Sequence, residues 1–159
     1  MFKRPRPLAP DHFKCPLQQI QIMKLSEGIE AIRLSLWLQK SKLLAITDLQ
    51  LGSEEALNRQ GIFVPRVNYR AIEKALEMIF TALKGKEIET ILINGDLKHE
   101  FGAISQQEWA EVSGIIDFLK ARCKRIVIVK GNHDTVLEPI AEARGIVMVG
   151  YFIVPGEGV

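Results

Sequence analysis

Three short polar clusters hold the side chains that could do chemistry: Asp48-Leu49-Gln50, Gly95-Asp96 and Gly131-Asn132-His133-Asp134. Carboxylates and an amide oxygen are hard donors for a divalent cation. A histidine beside them can give a proton to a departing oxygen. Each cluster also has a plain reading. An aspartate after a strand commonly caps or turns the chain, Gly-Asp is itself a turn signal, and Gly-Asn-His-Asp can be a glycine turn with an Asx cap. What sets the three apart is their position, because each stands where a short apolar run stops.

Those runs are Lys42 to Thr47, Thr90 to Asn94 and Ile126 to Lys130, continuous enough to read as strands buried on both faces. Between them the period changes from two to three and four. Val67, Ala71, Ile72, Ala75, Leu76, Ile79, Phe80 and Leu83 mark one amphipathic helix, with Gly85 where a C-cap would stand. Ser105 to Glu108 is a capping box opening a second, with Trp109, Val112, Ile115, Ile116 and Leu119 on one face. A short helix around Pro139 to Arg144 ends at Gly145, and Ile146 to Val154 reads as one or two strands. Upstream, Ile20 to Leu25 and Ile29 to Leu38 flank Ser26-Glu27-Gly28 as a hairpin. Alternating strands and helices predict an α/β fold with a mainly parallel sheet flanked by helices. In such sheets ligands bind outside the carboxyl ends of the strands, so the three clusters should share one crevice. Phosphate-loop and dinucleotide readings fail on glycine spacing, since Lys84-Gly85-Lys86 follows a helix.

Residues 1–16 carry four of the seven prolines and read as a basic, extended arm, leaving 17–159 as one domain. A chain of this length buries roughly 68–70% of the surface it exposes unfolded. Lys3, Arg4 and Arg6 lie in the arm, so the remaining basic residues nearly balance the 19 acidic ones, and nucleic acid finds little support as a partner from net charge. No apolar run approaches a membrane span, and no signal peptide is visible, which predicts a cytoplasmic protein without a membrane partner. Cys15 and Cys123 lie far apart and read as ordinary thiols.

The stretches T-D-L-Q-L-G, N-G-D-L-K-H-E-F-G and K-G-N-H-D, in this order, resemble the calcineurin-like metallophosphoesterases. The likeness covers roughly residues 20–159 and is nearest to compact prokaryotic, chiefly archaeal, members, which G-S-E-E-A-L-N-R-Q-G-I-F-V-P-R also resembles. The resemblance implies the N-terminal part of a four-layer α/β/β/α sandwich and metal-dependent hydrolysis of a phosphomonoester or phosphodiester. It implies two divalent cations, manganese first, with iron, zinc or nickel as alternatives. Asp48 would bind the first, Asp96 would bridge both and Asn132 would bind the second, while His133 would serve the leaving group and Asp134 would orient it. Arg59, Arg66, Lys98 and His99, on segments leading from the strand ends, are candidates to meet substrate phosphate.

Two departures qualify the expectation. The family places a histidine where this chain has Gln50, a neutral and weaker donor for manganese, iron or zinc. Its later G-H and G-H-x-H histidines have no counterpart before Val159. The sequence therefore predicts weak metal sites and impaired hydrolysis by this chain alone, with a non-catalytic phosphate-binding or interaction domain as the alternative. An incomplete sheet after Val147 also predicts self-association through an uncovered strand edge.

Overall fold

β-Branched and leucine-rich runs form seven strands in the computed structural model, which describes residues 20–65, 67–98, 104–132, 134 and 136–154. The strands are β1 (Ile22–Ser26), β2 (Ile29–Ile32), β3 (Ser35–Leu38), β4 (Leu43–Ile46), β5 (Thr90–Asn94), β6 (Arg125–Val129) and β7 (Val147–Val149). They stand side by side in chain order in one sheet. β1 to β4 form an antiparallel meander, and β4 to β7 run parallel. The expected α/β fold is thus observed, with one correction. The run Ile29 to Leu38 is two strands, because Arg33 takes a left-handed φ of 54° and the Ser35 hydroxyl donates to the Ile32 carbonyl at 2.7 Å, closing a turn. Only the first three residues after Ile146 form a strand, β7.

Among the described residues four helices lie between the parallel strands: α1 (Ser53–Arg59), α2 (Asn68–Ala82), α3 (Gln106–Lys120) and α4 (Glu138–Ala143). The capping box is present, since Ser105 Oγ accepts from Glu108 N while Glu108 Oε2 accepts from Ser105 N, each at 3.0 Å. α2 buries Leu76 and Ile79, which with Ile91, Ile93, Val112, Ile115, Ile128 and Ile140 belong to one core cluster between sheet and helices. Fully burying one such side chain contributes about 1.5–3 kcal/mol. Alternate strand residues Leu43, Leu92 and Val127 face the other way, and among the described residues no helix joins that second cluster. The helices thus cover one face.

The two ends of the parallel strands differ in chemistry. At the amino ends, Lys42 Nζ lies 2.6 Å from Glu87 and 3.1 Å from Glu89, and Lys124 Nζ lies 2.6 Å from Glu87. This exposed network ties the entries of β4, β5 and β6. Cys123 sits beside it half-buried, and burial pushes its thiol up, which suits an unreactive cysteine. The polar clusters occupy the opposite ends.

Candidate functional site

The chain leaving β4 does not turn away at once. It follows the chain leaving β5: Gln50 N donates to the Asp96 carbonyl at 3.0 Å, Leu51 N donates to Leu97 O at 2.9 Å, and Leu51 bridges to Lys98 in parallel. The first two clusters are therefore fixed against each other by backbone. Thr47 supports the junction, its Oγ1 lying 2.9 Å from the Asn94 carbonyl and 3.1 Å from Asp48 Oδ2. Asp48, Gln50 and Asp96 all adopt left-handed backbone, with φ of 53°, 44° and 47°. They are three of the five non-glycine residues so placed among those described, and the other two sit in hairpin turns. Such conformations carry strain for L-residues and concentrate at functional sites.

The third cluster meets the second through Gly131. A Cβ at Gly131 would fall 2.3 Å from Asp96 N and 2.5 Å from Asp96 Oδ1, so only glycine allows this approach. Asp134, fully buried, holds the contact. Its Oδ1 accepts from Leu97 N at 3.0 Å and Lys98 N at 3.3 Å, and its Oδ2 accepts from Gly131 N at 3.0 Å. One carboxylate thus stitches the segment after β5 to the segment after β6. Asn132, on the turn between, is exposed.

The structure accordingly brings the post-strand segments bearing Asp48, Gln50, Asp96 and Asn132 to one end of adjacent parallel strands. Asp96 Oδ1 is buried and, among the described residues, has no hydrogen-bond partner. A buried carboxylate oxygen without a donor is costly unless something positive meets it. That orphaned oxygen, in a cradle a Cβ would fill, fits a cation held there. The donor set is thin in one respect: among the described residues, no three His, Cys, Asp or Glu side chains group closely enough to hold a metal by themselves. The candidate set depends on the amide oxygens of Gln50 and Asn132.

His133, His99 and Arg66 lie outside the described residues, and Arg59 is the last residue of α1. Lys98 is fully buried, with Nζ 3.6 Å from Glu108 Oε1. Glu108 therefore serves two purposes, capping α3 and meeting Lys98. Gly52 packs against it so closely that a Cβ there would lie 2.3 Å from Glu108 Cγ. Three contributors were not legible beforehand. Thr47 supports Asp48. Arg33 and Leu34, hidden in a run taken for one strand, line with Asp48 and Leu49 a cavity of about 100 Å³ against α2. The signal that could have found that turn is Ser35, a polar break in apolar sequence.

A family model described as "Calcineurin-like phosphoesterase" matches residues 41–155. No curated protein matches the sequence. Among solved structures the chain is similar to a nuclease, MPE, of Pseudomonas putida, with a TM-score of 0.56 and 18% identity. The match covers 86% of this chain and 64% of that one, so this chain spans under two thirds of that nuclease's length. Family members generally depend on divalent metal. Among the described residues no helix is long and apolar enough to cross a membrane.

Proposed function

The chain belongs to the calcineurin-like phosphoesterase family, and from that premise we propose that it binds a phosphate ester at the carboxyl ends of β4, β5 and β6 and hydrolyses it slowly with divalent metal. The observation that carries this reading is the buried, unpartnered Asp96 Oδ1 against Gly131. Asp48, Gln50, Asp96 and Asn132 would hold the metal, Asp96 as the bridge between two positions. An all-oxygen set of this kind suits manganese better than zinc. When bound, two such cations polarise the phosphoryl oxygens and lower the pKa of water for attack.

The chain's own groups do the rest. The left-handed backbone at Asp48 and Asp96 orients both carboxylates before substrate arrives. His133 would give its proton to the leaving oxygen. Asp134 positions rather than reacts: with its oxygens taken by three backbone amides, it acts by fixing the Gly131 turn that leads into Asn132 and His133. Arg59, Arg66 and His99 remain our candidates for substrate phosphate. The similar structure is described as a nuclease, and nucleic-acid phosphodiesters are therefore among the substrates we would assay. We assign the protein to the cytoplasm.

The test is calorimetric titration with manganese alongside turnover of bis-p-nitrophenyl phosphate. The parent chain should bind manganese and turn over slowly, and Asp96→Asn should lose both. Manganese binding that survives Asp96→Asn would overturn the assignment. The second reading, phosphate binding without turnover, draws on the thin donor set among the described residues. It would be favoured by retained binding of a phosphate ester with neither metal uptake nor hydrolysis.

A further inference from the structure

The loop between α1 and α2 displays an aromatic side chain where burial economy would not put one. Phe63 is 90% exposed and its neighbour Ile62 is 53% exposed, the former the most exposed large apolar side chain among the described residues. The loop is nonetheless built. Gly61 N donates to Asn58 O and Ile62 N to Leu57 O, each at 3.0 Å, and Asn58 Oδ1 accepts from Val64 N at 3.1 Å. On its far side, Glu54 Oε1 accepts from Val67 N and Asn68 N, both at 2.6 Å. Local hydrogen bonds hold the tip outward, so its exposure is not slack.

The surroundings say what such a tip would meet. Between Glu55 and Glu73 the sequence carries Arg59, Arg66 and Arg70 and no acidic residue, in a chain whose net charge is only +2. The loop leads directly into α2, whose Ile72, Ala75, Leu76 and Ile79 share a cavity lining with Asp48 and Leu49. Cations interleaved with an exposed aromatic suit a polyanion with planar faces. A purely apolar protein partner would gain nothing from the arginines. We infer that this loop is a stacking platform for single-stranded nucleic acid, with Phe63 under a base and the exposed Arg70 along the phosphates. This rests on reading the neighbouring site as a phosphodiester site and names its substrate class.

The experiment uses the full chain with a fluorescein-labelled oligothymidylate, followed by anisotropy at low salt with a chelator present. Binding is thereby read without hydrolysis, so failed turnover would count against the proposed reaction and not against this platform. Phe63→Ala should weaken binding by about 5- to 150-fold, the range of one base stacked on an aromatic side chain. Phe63→Trp should bind like the parent, its added emission quenched by the oligonucleotide. Arg70→Gln should flatten the salt dependence, by about 0.7 in slope for one single-strand phosphate contact. Equal affinity of parent and Phe63→Ala, or added emission of Phe63→Trp that stays unquenched in the bound state, would overturn the inference. So would a Phe63-dependent gain on vesicles containing phosphatidylserine without one on the oligonucleotide, since that is the behaviour of a membrane anchor.

Discussion

Removing the Asp134 carboxylate should be among the most damaging single changes in this chain. The side chain is fully buried and accepts three backbone N–H bonds, from Leu97, Lys98 and Gly131, across 36 or more residues of sequence in two cases. Hydrogen bonds to a charged acceptor contribute about 1.5–3 kcal/mol each, and a buried donor left unmet costs about 1–3 kcal/mol. The three share one acceptor group, so the terms do not add fully, and Asp134→Ala should cost roughly 3–5 kcal/mol. In a domain of this length that lowers the melting temperature by roughly 6–20 °C. Asp134→Asn keeps an oxygen for Leu97 and Lys98 but turns an amide N–H₂ toward Gly131 N–H. It should fall between, at about 1–3 kcal/mol.

Thermal and urea unfolding with a chelator present measure this without contribution from bound metal. The expected order of stability is parent, then Asn, then Ala. If both variants unfold within about 0.5 kcal/mol of the parent, the carboxylate is not what joins the two segments. A loss of turnover with unchanged stability would instead mean that Asp134 acts directly on His133.

Three further outcomes are expected. Gln50→His should tighten manganese binding in calorimetry, because it supplies an imidazole nitrogen in place of a weak neutral oxygen donor; equal affinity would mean that Gln50 does not face the metal. Gly131→Ala should cost about 1–3 kcal/mol of stability, and its metal affinity should fall further still, since the new methyl lands on the backbone nitrogen and Oδ1 of Asp96; calorimetry beside melting curves separates the two. Lys124 and then Lys42 hold the Glu87 carboxyl down to about 2, so the stability this exposed pairing contributes is complete above the ordinary glutamate range and is lost as pH falls from about 4.5 through about 2. Glu87→Gln should flatten that acid limb in melts across the window, and an unchanged limb would remove the pairing from the account.

Much of this architecture could be read from residue order, for reasons that differ by element. α2 and α3 were legible because their apolar positions recur at three and four and because Ser105 and Glu108 announce a start. The parallel strands were legible as short runs of Ile, Leu and Val that stop at glycine or a polar residue. α1 was not, since none of its described residues belongs to either core cluster and Glu54 turns its carboxylate to the entrance of α2 rather than to its own helix. The hairpin turn at Arg33 was hidden because the apolar run continues through it. Lys98 read as a candidate for substrate phosphate and Glu108 as a cap; that the two meet inside depends on how the chain after β5 lies against the start of α3, a relation between segments that no local pattern carries.

The clusters at the strand ends could be located as a group, but their construction could not. Spacing told where carboxylates would gather; it could not tell that Asp48, Gln50 and Asp96 would stand in left-handed backbone, a conformation that costs roughly 1–2 kcal/mol per residue where no local hydrogen bond offsets it. The offset is visible at Gln50, whose N–H is taken by Asp96 O, and at Gly131 and Leu97, both tied by Asp134. Backbone strain at the residues that would meet ligand is offset by hydrogen bonds between neighbouring segments, those from Leu97, Lys98 and Gly131 going to Asp134, both of whose oxygens accept. The division follows from burial. Asp134 is satisfied within the fold, whereas Asp96 keeps one buried oxygen unmatched. Among the described residues the fold provides three donors to one aspartate and none to that oxygen, and it is on this difference that we propose a structural role for Asp134 and a cation for Asp96.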